Sequence, residues 1–65
     1  MNPRSRCLKE LKRLNFELKQ HGRKHDKYYN AELNYSVTVK RSNFDEDDMR
    51  YILQEIKRER ERQGK

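Results

Sequence analysis

Sixty-five residues make one domain, 1–65, and with 31% hydrophobic against 43% charged residues its core is thin, which argues against a roomy enclosed pocket for a small-molecule substrate. The single Cys7 excludes an internal disulfide and a cysteine-rich zinc site. No aliphatic run exceeds two residues, which leaves no transmembrane span and no signal-peptide core and suggests a soluble, cytoplasmic protein.

The net charge of +6 is unevenly spread. Residues 1–24 carry a net +6, residues 25–43 a net +1 and residues 44–65 a net −1. A basic lobe joined to a near-neutral helix suits binding to a phosphate backbone, where each neutralised phosphate releases a counterion. Charge that serves solubility alone is the plainer alternative.

In chain order, Cys7, Leu8, Leu11 and Leu14 fall on one helical face, with Lys9, Lys12 and Arg13 on the other. Pro3 or Ser5 marks the helix start. The period then changes. Phe16 and Leu18 alternate with Asn15, Glu17 and Lys19, a half-buried strand that ends at Gly22. Residues 25–30, HDKYYN, form a second strand candidate, and Asn30 to Asn34 supply a turn. In NYSVTVK, Tyr35, Val37 and Val39 face one side while Ser36, Thr38 and Lys40 face the other. Ser42 and Asn43 are good N-cap residues, and the acids Asp45 to Asp48 complement the positive end of a helix dipole; capping is preferred to metal binding for this run. Met49, Ile52, Leu53 and Ile56 give the second amphipathic face, and residues 58–65 read as a charged, fraying tail.

The fold class is α+β with order α-β-β-β-α: a three-stranded antiparallel sheet with two helices on one face, the architecture of a double-stranded RNA-binding domain. Strand parity assigns the open face. Tyr28 turns inward and His25, Lys27 and Tyr29 outward, because the opposite choice buries Lys27 and His25 together. Glu17 and Lys19, with His21 by extension, and Ser36, Thr38 and Lys40 share that face. It therefore presents a histidine flanked by cations, with a tyrosine available for base stacking. An ordinary solvated sheet face is the bland alternative. A metal site at His21 and His25 is disfavoured, since Gly22 breaks the helical spacing and no third ligand completes it.

The segment Gly22-Arg23-Lys24-His25-Asp26-Lys27-Tyr28-Tyr29-Asn30, preceded by a short amphipathic helix and an FELK strand and followed by SVTVKR and a helix, resembles the HicA family of bacterial toxins over residues 5–57. The resemblance implies a small messenger-RNA-cleaving endoribonuclease, neutralised by a cognate HicB-type antitoxin, with His25 as its catalytic histidine. The usual glycine and hydroxyl residue directly before that histidine are Arg23 and Lys24 here, with the glycine at Gly22. The implied chemistry needs neither metal nor cofactor: a histidine deprotonates the ribose 2′-hydroxyl, or protonates the leaving 5′-oxygen, while cations steady the phosphorane charge. The RNA-binding set expected around His25 is Lys19, Arg23, Lys24, Lys27, Tyr29 and Lys40. Tyr28, Tyr35 and Tyr51 are assigned to packing. Two other functions fit the same residues: an RNA-binding module without cleavage, and a small regulatory protein whose helix 44–62 is an interaction surface. Helix-turn-helix DNA binding has little support, and no membrane partner is expected.

Overall fold

The computed structural model describes residues 2–64. Helix α1 spans Pro3–Arg13. Its N-cap is Asn2, whose side chain accepts from the Ser5 N–H at 2.7 Å. Pro3 takes the first helical position, where its missing N–H costs nothing. The helix closes on a Schellman motif. Asn15 is left-handed at φ 70°, its N–H donates to Lys12 O and the Phe16 N–H donates to Leu11 O. The chain leaves this cap directly into strand β1, Glu17–His21, followed by β2, His25–Asn30, and β3, Tyr35–Lys40. The strands form one antiparallel sheet in the order β1-β2-β3.

Helix α2 spans Glu46–Gln63. The cap is Asp45 rather than Ser42 or Asn43, the two residues favoured by sequence. Asp45 accepts from the Asp48 N–H at 2.9 Å and donates its own N–H to Asp48 Oδ2 at 3.0 Å, a reciprocal capping box. Asn43 instead takes a left-handed turn at φ 56°. α2 runs on through Gln63, so most of the charged tail 58–65 is helical, and Gly64 caps it at φ 73°. Gln63 also donates to Leu33 O at 2.8 Å. Among the described residues no helix is long and apolar enough to cross a membrane.

The core lies between the two helices and one sheet face. Cys7 and Leu11 of α1, Phe16, Val37 and Val39 of the sheet side, and Ile52 and Ile56 of α2 are all buried. Burial pushes the Cys7 thiol up to about 11, so it packs as a small neutral hydrophobe. Leu33, in the β2–β3 turn, also belongs to the core, a contribution that turn composition did not reveal. It is fixed by the buried Asn30, whose amide donates to Leu14 O and whose carbonyl accepts from the Leu33 N–H, both at 2.8 Å. Two expected packing residues differ. Leu18 is 51% exposed on the edge strand, and Tyr51 is 66% exposed on α2.

Candidate nucleic-acid interface

The sheet face turned away from the helices is centred on β2, flanked by Ser36, Thr38 and Lys40 of β3. Asp26 and Asn30 are buried and Tyr28 packs against the core, so alternation sends His25, Lys27 and Tyr29 to the open side. His25 sits at the first position of β2, directly across from Lys40 of β3, and Lys27 lies across from Thr38. His25 and Lys27 are exposed. Neither side chain has a hydrogen bond or ion pair among the described residues.

β1 departs from simple alternation. Glu17 pairs with Tyr29 and Leu18 with Tyr28, but Gln20 pairs with Lys27 and His21 with Asp26, so a bulge at Lys19 shifts the register by one. Gln20 thereby joins the open face. His21, which uninterrupted parity puts beside His25, is turned to the opposite side, where its Nδ1 stands 3.1 Å from Asp26 Oδ1. The bulged Lys19 folds over the sheet, and its Nζ lies 4.4 Å from the Tyr29 ring centroid. Tyr29 OH donates to Asn34 Oδ1 at 2.8 Å. One face of the expected stacking ring is therefore already covered by a cation.

Lys40 is also engaged. Its Nζ lies 3.1 Å from an Asp48 carboxylate oxygen, drawing it toward the start of α2. The Asp45 N–H, and then Lys40, hold the Asp48 carboxyl below the usual carboxylate range. Between β3 and α2 runs a cleft of about 370 Å³ with His25 and Lys40 at one end and Phe44, Tyr51 and Thr38 along it. Phe44 and Tyr51 were not among the sequence candidates, because only the docking angle of α2 brings them to this edge.

Arg23 and Lys24 form the β1–β2 turn and are exposed. Gly22 precedes them because a Cβ there would sit 2.3 Å from the His25 carbonyl oxygen; close approach, rather than a left-handed φ, demands the glycine. Arg41 braces the turn, donating from Nη1 to Gly22 O at 3.0 Å and from its backbone N–H to Lys24 O at 2.9 Å. Beneath His25, Asp26 is only 4% exposed. Arg4 Nη2 donates to its Oδ2 at 2.8 Å. Its Oδ1 is enclosed without a hydrogen bond, 3.1 Å from His21 Nδ1 and 4.0 Å from Arg41 Nε. A single buried carboxylate thus gathers three basic side chains at the turn end, a cluster hidden from sequence reading because its members come from α1, β1, β2 and the residue after β3.

Among the described residues no group of three or more His, Cys, Asp or Glu is placed to hold a metal ion. No family model, curated protein or solved structure matches the chain.

Proposed function

We propose that this chain is an endoribonuclease of the HicA type, a toxin that cleaves messenger RNA with His25 as general acid–base and is restrained by a HicB-type antitoxin. The observation that carries the reading is the exposed His25 on the open sheet face, its ring without a partner among the described residues, with Lys27 two residues along its strand and Lys40 across from it. In the reaction, an imidazole nitrogen of His25 takes the proton of a ribose 2′-hydroxyl. The 2′-oxygen forms a bond to the adjacent phosphorus, and the bond from phosphorus to the 5′-oxygen breaks. The leaving oxygen is protonated from His25 or from water, and the products are a 2′,3′-cyclic phosphate and a 5′-hydroxyl end. Lys27, with Arg23 and Lys24 from the turn, supplies positive charge for the pentacoordinate state. His21 faces Asp26, so His25 acts as a single histidine, and a modest rate is expected. Lacking the 2′-hydroxyl, DNA is not cut.

A second reading, an RNA-binding module without cleavage, is favoured by the absence of any described residue that orients the His25 ring. Labelled RNA incubated with the protein in EDTA separates the two. Cleavage with cyclic-phosphate ends, lost in His25→Ala while the circular dichroism spectrum is unchanged, supports the nuclease. A shifted but intact RNA band supports the binder, and cleavage by His25→Ala at the wild-type rate removes His25 from the chemistry.

A further inference from the structure

On the outer side of the helix layer, away from His25, α1 and α2 leave a trough between them. It consists of a cavity of about 790 Å³ and another of about 380 Å³ that share Glu10, Arg13 and Leu53. Its apolar lining comes from Met49 and Leu53, continued by Leu14 and Ile56. Its rims are basic. Arg6, Lys9, Lys12 and Arg13 line the first cavity, and Lys57 and Arg60 the second, against Glu10 and Glu61. Arg13 is held by Glu10 and Arg6 by Glu46. Lys9, Lys12 and Lys57 have no ion-pair partner among the described residues.

We infer that this trough is a docking groove for an acidic amphipathic helix of a partner protein. Charge complementarity selects that occupant. An apolar floor between cationic rims matches a helix with an apolar stripe at i, i+3, i+4 and i+7 and carboxylates on its flanks. Nucleic acid would pair with the rims and leave Met49 and Leu53 without a complementary surface. The acidic start of α2 in a second copy is a poorer occupant: Asp45 and Asp48 are tied up in the capping box, Asp48 also in the pair with Lys40, and Glu46 in the bridge to Arg6. α1 contributes 11 residues, so the groove accommodates about 16 Å of helix, or roughly three turns. The partner would thus grip the molecule on the layer opposite His25 and leave the open face for a separate contact. This inference goes beyond the nuclease reading and does not depend on it.

The test is a synthetic peptide of about 14 residues, with leucines at those four spacings and glutamates elsewhere, titrated into the full-length ¹⁵N-labelled chain. The expected result is a set of amide shifts centred on Lys9, Lys12, Met49 and Leu53, with the sheet face unmoved. A Lys9→Glu/Lys12→Glu double variant changes two exposed residues and should keep its circular dichroism spectrum while binding about tenfold more weakly. Failure of the peptide to bind, equal binding of a scrambled peptide, or undiminished binding by the double variant overturns the inference. So does a short single-stranded RNA that moves the same helix amides, or a concentration-dependent dimer that protects Leu53.

Discussion

Arg4 reaches from the first turn of α1 to Asp26 at 2.8 Å and, through Nε, donates to the backbone carbonyl of Lys40 at 2.8 Å. One side chain therefore ties the helix to two strands immediately behind the His25–Lys40 pair. The two ends of the Arg4–Asp26 contact are unequal. Arg4 keeps 26% of its side-chain surface in solvent and Asp26 only 6%, and Asp26 has His21 and Arg41 in reserve. Asp26→Ala leaves the Arg4 and Arg41 guanidinium groups facing one another without their carboxylate and should cost about 2–3 kcal/mol. Arg4→Ala should cost less, about 1–2 kcal/mol, because Arg41 and the His21 ring still face the carboxylate. Urea denaturation of both single variants checks the order; equal losses would mean that His21 and Arg41 contribute nothing.

Gly22→Ala places a methyl group against the His25 carbonyl, which belongs to backbone and cannot swing aside. The turn must shift and take the start of β2 with it. The expected outcome is a loss of about 1–3 kcal/mol, with amide shift changes concentrated in residues 21–26. A variant as stable as the parent, with His25 unmoved, would refute this.

The cations of the open face are not equivalent. Lys27 has no ion-pair partner among the described residues, whereas Lys40 is held by Asp48. If RNA lies across this face, Lys27→Ala should reduce the slope of log affinity against log salt by about 0.7, one phosphate on a single strand. Lys40→Ala should reduce it by a smaller amount, because releasing Asp48 offsets the gain. Filter-binding titrations over a range of salt concentrations measure both slopes.

Acid should loosen the ends of the helices first. Asp48 is held low by the Asp45 N–H and by Lys40, Glu10 by Arg13, and Glu59 by Arg62 and then Gln63. Each folded-state value lies below its unfolded one. The stabilisation is therefore present above the ordinary carboxylate range near pH ~4 and fades as pH falls through the lowered values. Helical circular dichroism should decline below about pH 4, and Asp48→Asn should flatten part of that decline. An unchanged acid profile in Asp48→Asn would assign the effect elsewhere.

The order of elements was legible because the apolar period changes from helical to alternating at Phe16 and back after Asn43, and because Val37 and Val39 leave one choice for the buried face. Tyr28 followed from the cost of burying Lys27. The bulge at Lys19 was not legible: beyond Leu18 the strand holds only Lys19, Gln20 and His21, all polar, so no apolar residue records which way each points. Cap choice at α2 was misread for a related reason. Ser42, Asn43 and Asp45 are all competent caps, and only the reciprocal bond with Asp48 separates them. The pairings that spend Lys40 on Asp48 and lay Lys19 over Tyr29 depend on packing distances between elements, which residue periodicity does not encode.

Among the described residues, three non-glycine positions take left-handed backbone angles, Asn15, Asn34 and Asn43, and each is followed by an aromatic ring, Phe16, Tyr35 or Phe44, that packs in or against the core. Every change of direction other than the β1–β2 turn is thus written as an asparagine–aromatic pair, in which a local backbone preference delivers a ring to the interior. The strands themselves pair only with their neighbours in sequence, across connections of three and four residues. Such a chain closes few large loops before its sheet begins to form, and the entropic barrier to folding is correspondingly low. Rapid, unassisted refolding is the natural consequence: a molecule this size can lose its structure and recover it without passing through long-lived, sticky intermediates.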